Sequence, residues 1–205
     1  GFDARVTSDA VEGDARAAAR TQAHEVQRLL REGCLADGRL LERPAALLSG
    51  GETTVPVRGA GQGGRNSTYA LALALALPEG VPVRALVADS DGVDGVGGHA
   101  GAFVEPELFE RLPRPRAKAY DRDDASRAAF AQADALFEPG PTGTNVNDLR
   151  FVLVGPGGVA VSAVGKAIQK RDKGRAHQEG QHANPEITLA QGTGHKRSPL
   201  TGQHG

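Results

Sequence analysis

Residues 45–77 read AALLSGGETTVPVRGAGQGGRNSTYALALALAL, and the fold class turns on how this stretch divides. Its first five residues are a short apolar run, stopped by Gly50 and Gly51. Residues 53–58, TTVPVR, alternate and are β-branched, which predicts a strand. Pro56 removes a ladder donor and makes it an edge or irregular one. Residues 69–77 alternate Ala and Leu, and period two alone would suggest a second strand. Ala and Leu are among the best helix formers, however, and a helix apolar all round is a buried one. The stretch therefore reads as strand, glycine-rich loop, buried helix.

Upstream, residues 9–12 (DAVE) look like a capping box, and the run to Glu32 is rich in Ala, Arg, Gln and Leu. Val11, Ala15, Ala18, Ala19, Val26, Leu29 and Leu30 form an apolar stripe at helical spacing, ended by Gly33, which predicts a packed helix. Downstream, residues 81–88 predict a buried strand. Short amphipathic helices are expected over 105–111 and 123–133, a short strand over 135–137 and a final apolar strand over 149–154. Interleaved strands and helices predict an α/β domain: a layered mixed sheet with flanking helices over residues 1–155.

Composition narrows the function classes. The 205 residues include 28 Gly, close to twice the usual share of about 7%, yet no G-X-Y repeat, which excludes a collagen-like chain. A net charge of −1 gives no general attraction to nucleic acid. No apolar run reaches the ~18 residues needed to span a bilayer, and no signal-peptide pattern opens the chain. The single Cys34 forms no internal disulfide, which fits the cytoplasm. Gly1 in place of Met suggests a processed or truncated chain.

The charge balance also hides a shift. Residues 1–155 carry 17 basic and 22 acidic residues, whereas 156–205 carry 7 and 3. After Ile168 the only large aliphatics are Ile187, Leu189 and Leu200, too few to offset the entropy of ordering. A weakly ordered C-terminal tail over 156–205 is expected. Its histidines, His177, His182, His195 and His204, match no helical metal pair.

Three polar, glycine-rich segments carry the chemistry. The first is GGETT (50–54) running into GAGQGGRN (59–66) before the helix. Glycines there would let backbone N–H groups approach an anion, and the helix N-terminus adds partial positive charge. Arg65 could hold a carboxylate or phosphate through two parallel hydrogen bonds. The second, DSDGVD (89–94), lies at the carboxyl end of a strand, where ligands of open α/β sheets sit. Its three carboxylates, including Asp91 and Asp94, could hold a divalent cation or accept a proton; a solvated turn explains the spacing almost as well. The third, GPTGTNVND (140–148), concentrates hydroxyl and amide groups, as a capped turn also would. Gly59-x-Gly61-x-x-Gly64 further matches a dinucleotide-binding fingerprint, but the strand before it is polar, and Asp89 and Asp91 lie beyond the usual spacing of about 20 residues.

LLSGGETTVPVRGAGQGGRN (47–66), ADSDGVDG (88–95), AGAF (100–103) and GPTGTNVNDLR (140–150) occur in this order in a known family. In them the chain resembles the C-terminal MOFRL domain of class II glycerate kinases, also called hydroxypyruvate reductases, over residues 1–154. The resemblance implies ATP-dependent phosphorylation of the 2-hydroxyl of D-glycerate with Mg2+, in a cleft between this domain and an N-terminal kinase domain that carries a catalytic Lys. Arg65 and Asp91 would be the catalytic residues, with Asp91 the Mg2+ ligand. Gly51, Glu52, Gly61, Gly64, Asn66, Asp94, Thr142, Gly143, Thr144 and Asn145 would bind substrate or nucleotide. A homo-oligomer is compatible with this reading.

The chain also departs from the family. Gln62 replaces a usual basic residue, Ser67-Thr68 replace Gln-Glu, and Val96-Gly97-Gly98 replace Pro-Thr-Asp. Two other readings stay open: an NAD(P)-dependent hydroxypyruvate reductase, and a non-catalytic ligand-binding domain.

Overall fold

The computed structural model describes residues 2–155, apart from 36, 39 and 41–43; the expected tail lies outside the described residues. Six strands form one sheet in the order β1-β2-β6-β3-β4-β5. They are β1 (Asp3–Asp14), β2 (Ala45–Thr54), β3 (Val83–Asp89), β4 (Gly101–Val104), β5 (Leu136–Phe137) and β6 (Asp148–Val154). β1 runs parallel to β2, and every other pairing is antiparallel. Among the described residues five helices accompany the sheet: α1 (Ala15–Glu32), α2 (Arg65–Ala76), α3 (Leu108–Arg111), α4 (Arg114–Arg122) and α5 (Ser126–Gln132). The mixed α/β layering expected from the sequence is what forms.

Strand alternation explains the core. Ala45 and Leu47 of β2, Val83, Ala85 and Val87 of β3, and Val152 and Val154 of β6 share one face and are buried beneath α1 and α2. Their neighbours on the opposite face, Leu48, Leu86, Leu149 and Leu153, are only half-buried, and Phe151 is exposed. α2 is buried continuously from Asn66 to Ala74, so its Ala-Leu alternation is that of a helix enclosed on all sides. Among the described residues, no helix is long and apolar enough to cross a membrane.

The helix expected from Asp9 begins later. Residues 3–14 form β1, and α1 starts at Ala15, with Asp14 rather than Asp9 accepting a hydrogen bond from Ala17 N–H at 2.8 Å. The apparent capping box lost to a partner distant in sequence, because β1 satisfies its backbone on β2. The C-terminus is as expected: Gly33 takes φ 68° and donates its N–H to Leu29.

β2 also differs. Gly50 and Gly51 lie inside the strand, and the ladder ends at Thr54, so residues 55–58 form no strand. Gly51 has φ 125°, and a Cβ there would sit 2.3 Å from Val11 N, so this glycine lets β1 and β2 approach. β4 and α4 were not anticipated. The helix expected over 123–133 is shortened because Asp124 adopts φ 54° and turns the chain between α4 and α5.

Leu71→Ala, in the fully buried centre of α2, is expected to lower unfolding free energy by roughly 2–5 kcal/mol in urea denaturation. Val57→Ala, at an 85% exposed position, should stay within about 0.5 kcal/mol of the parent chain.

Candidate functional site

The site gathers where three strand ends meet. β6 runs antiparallel to both neighbours, so its first residue, Asp148, lies beside Gly51 of β2 and Asp89 of β3. Asp148 is completely buried, and a carboxylate out of water must be satisfied on every side. Its Oδ1 accepts from Arg65 Nε at 2.8 Å and Asn66 Nδ2 at 2.7 Å. Its Oδ2 accepts from Thr53 N–H at 3.1 Å and Arg150 Nη2 at 2.9 Å. Charge-assisted bonds of this kind contribute about 1.5–3 kcal/mol each when buried.

Arg65, the first residue of α2, is gripped by three carboxylates. Nε reaches Asp148, Nη2 reaches Asp89 at 2.7 Å and Nη1 reaches the more exposed Glu52 at 3.2 Å. Burial opposes its charge, but Asp148 and then Asp89 and Glu52 outweigh burial and raise its pKa. Burial, reinforced by the like charge of Asp91, pushes the Asp89 carboxyl upward although Arg65 pulls it down. The guanidinium remains 28% exposed and faces a cleft of about 600 Å³. Glu52, Asp89, Asp91, Asp124, Asn145 and Asn147 line that cleft with it.

The N-terminus of α2 is already filled. Asp94 is buried beneath it and accepts the N–H groups of Asn66 at 2.9 Å and Ser67 at 2.7 Å, so the chain's own carboxylate takes the place considered for a ligand anion. His99 lies against this cap, its Nε2 3.4 Å from Ser67 Oγ and 3.6 Å from Asp94 Oδ2.

The glycine loop is committed in the same way. Asp124 Oδ2 accepts from Arg58 N–H and from Gly59 N–H at 2.6 Å, while Asp123 takes Ala60 N–H and Gly61 N–H. Buried Arg16 fixes Asp124 from behind at 2.6 Å. Burial opposes the Asp124 charge, but these donors outweigh it and lower its pKa. A Cβ would lie 2.5 Å from Asp123 O at Gly59, 2.3 Å from it at Gly61, 2.1 Å from Ser126 Oγ at Gly63 and 2.2 Å from the Asp94 carboxyl at Gly64. Close packing against the 123–126 corner, and against Asp94 for Gly64, calls for glycine at these positions before any ligand is considered.

The residues singled out from the sequence therefore separate. Arg65, Glu52, Asp91, Gly61, Gly64 and Asn145 line the cleft. Gly51 serves strand pairing, Asp94 caps α2, and Asn66 is buried with its amide on Asp148. Thr142, Gly143 and Thr144 lie on an exposed loop outside the cleft lining; Thr142 ties that loop to the 89–92 turn through Ser90 O and Asp91 O. Asp148, Asp124 and Asn147 were missed. An Asp heading an apolar strand, with Arg150 on the same face, was the available signal for the first. Among the described residues, no group of three or more His, Cys, Asp or Glu side chains is arranged to hold a metal ion.

Fold and cleft together define a mixed α/β layering with an arginine-centred cleft at the loop end of its sheet. The MOFRL family model matches residues 45–148, half of the chain, and the chain belongs to that family. It is 38% identical to a D-glycerate 2-kinase of Thermotoga maritima over 157 residues, covering 75% of this chain and 36% of that protein. A protein of Agrobacterium vitis named as a hydroxypyruvate reductase is also 38% identical, over 73% of this chain and 34% of its own length. The crystal structure of the Thermotoga maritima glycerate kinase superposes with a TM-score of 0.68, and one from Pyrococcus horikoshii, 30% identical, with 0.69. These structures are covered over 36% and 35% of their lengths, so the chain spans about a third of the relatives it matches.

Two measurements test these assignments. Gly64→Ala should destabilise the ligand-free chain by more than about 2 kcal/mol, since its Cβ meets the buried Asp94 carboxyl; unchanged stability would return Gly64 to a purely ligand-binding role. Burial pushes the His99 imidazole below its ordinary pKa, with Arg127 adding to the fall and Asp94 and Glu138 opposing it. The unfolded chain then binds a proton that the folded chain refuses. This contribution is intact above about pH 6.5 and is lost as pH falls toward the folded value. Urea midpoints should drop more steeply from about pH 7 to about pH 5 in the parent than in His99→Gln.

Proposed function

We propose that this chain forms the MOFRL part of a glycerate 2-kinase, which moves the γ-phosphoryl group of ATP to the 2-hydroxyl of D-glycerate in a reducing compartment such as the cytoplasm. The observation that carries the reading is Arg65, held by three carboxylates while its guanidinium faces a cleft shared with Asp91. Identity of 38% to a D-glycerate 2-kinase supports it.

Phosphoryl transfer is largely positioning and charge neutralisation. In this reading Arg65 clamps the glycerate carboxylate or the transferring phosphoryl oxygens. Asp91, half-buried beside it in the cleft, accepts a hydrogen bond from the 2-hydroxyl and receives its proton as the oxygen attacks phosphorus and ADP departs. Asn145 and Asn147 add neutral amides to the lining. The acidic lining suits hydroxyl groups and a cation better than a bare triphosphate. Mg2+ fits as a partial site, since it commonly takes one or two carboxylates and completes its shell with water and phosphate oxygens. As the alternative to that proton-accepting role, Asp91 would be its carboxylate, and the ion would neutralise phosphate charge. Lysine or arginine for the rest of the nucleotide would come from a further domain, in keeping with the third of the relatives' length that this chain spans.

The reductase reading keeps one support, the name of the Agrobacterium vitis relative. Against it, the backbone donors of residues 58–61 already have partners, and β6 runs antiparallel between β2 and β3, where a dinucleotide fold has adjacent parallel strands.

Glycerate-dependent ADP release tests the proposal, measured for the chain alone and with the N-terminal domain of a family member. The expected result is no turnover alone and recovery with the added domain. In the assembled pair, Arg65→Ala and Asp91→Asn should each reduce the rate by about 10²-fold or more. Hydroxypyruvate-dependent NADH oxidation by the chain alone would overturn it, and a correctly assembled but inactive pair would favour a binding domain.

A further inference from the structure

Arg150 is buried out of reach of the cleft, and stability alone gives a poor account of it. Its guanidinium lies 4.6 Å from the Tyr69 ring centre, and Nη2 donates to Asp148 at 2.9 Å and Thr53 Oγ1 at 3.4 Å. Nε and Nη1 have no hydrogen-bond partner among the described residues. A buried charge with part of its donor set unanswered is expensive, and replacing such groups by apolar ones is often neutral or stabilising. Burial accordingly pushes its pKa down, and the charge of Arg65 adds to that fall, so the two guanidiniums act on each other across the carboxylate between them.

We propose that Arg150 is a positioning residue that sets the orientation of Arg65 through Asp148. Arg150 and Asp148 sit two residues apart on β6 and so share a face. Arg150 and Thr53 hold Asp148 Oδ2, which fixes the carboxylate plane and presents Oδ1 to Arg65 Nε and Asn66. With Nε anchored there, the two Nη groups of Arg65 are the edge left for Glu52, Asp89 and a ligand. Without Arg150 the carboxylate can rotate and take a second donor from Arg65, withdrawing that edge from the cleft. Thr53 N–H, Asn66 and Arg65 still satisfy Asp148, so the loss of Arg150 does not strand a buried charge. The inference rests on Arg65 being the ligand-facing cation proposed above.

The test reads Arg65 directly in the full 205-residue chain, by the arginine Nε–H correlation in nitrogen-15 NMR, assigned by its disappearance in Arg65→Lys. A protected Arg65 Nε–H signal is expected in the parent. In Arg150→Met it should shift and exchange faster with water, and Arg150→Lys should restore it in part. An Arg65 signal unmoved in Arg150→Met would reduce Arg150 to packing and overturn the inference, whatever happens to the melting temperature. Should Arg150→Met not fold, Arg150→Gln, which removes the charge and keeps a polar chain, is read in the same way: a displaced signal supports the role and an unmoved one sinks it. Titration with D-glycerate and with inorganic phosphate provides a second readout, with affinity expected to fall about threefold or more in Arg150→Met. Binding that survives unchanged in Arg65→Ala would count against the proposed site, while the ligand-free signal still decides the role of Arg150.

Discussion

A single buried carboxylate, that of Asp148, holds the working end of this domain together. It belongs to the central strand β6, and its two oxygens receive donors from β2, from α2 and from β6 itself. Three separate segments are thereby tied at one point, and each has little freedom to move without leaving a charge unsatisfied in a dry environment. Arg65 is therefore placed by the same interaction that closes the sheet against its helix. The buried carboxylate and the cleft-facing arginine thus share one element, at the strand ends where the cleft opens.

The polar groups around that point are largely spent on the protein itself. The end of α2 is neutralised by Asp94, and the backbone of residues 58–61 by Asp123 and Asp124. Side chains, rather than main-chain amides, are left to meet a ligand. Among them acids predominate, with Glu52, Asp89, Asp91 and Asp124 around Arg65. A surface of this sign rewards hydroxyl groups and cations and repels unaccompanied phosphate.

Much of the architecture was legible in the sequence, because local chemistry decided it. The buried helix after the glycine loop, the strands that became β3 and β6 and the glycine stop at Gly33 all follow from composition and period. β1 was not legible. Its residues carry a plausible capping pattern, and only pairing with β2, some forty positions away, makes them a strand. Site residues divide on the same principle. Arg65 and Asp91 announce themselves as charges beside glycines, whereas Asp148 and Asp124 are ordinary acids until the fold brings donors to them. The glycines carry a second demand that the sequence does not display: 59, 61, 63 and 64 read as an anion-binding loop, and in the fold each also meets the close approach of Asp123, Asp94 or Ser126.

The position of β6 has a consequence in time. Among the described residues this strand is the last in sequence, yet it lies third in the sheet, between β2 and β3. Until residues 148–154 arrive, β1-β2 and β3-β4-β5 are two separate ribbons with no backbone hydrogen bonds joining them. Joining them requires contacts across some hundred residues, the kind of long loop closure that slows folding. On a ribosome the helices would form early and wait. Asp148 enters with that final strand, so the chain gains its completed sheet and its ordered cleft in one late event.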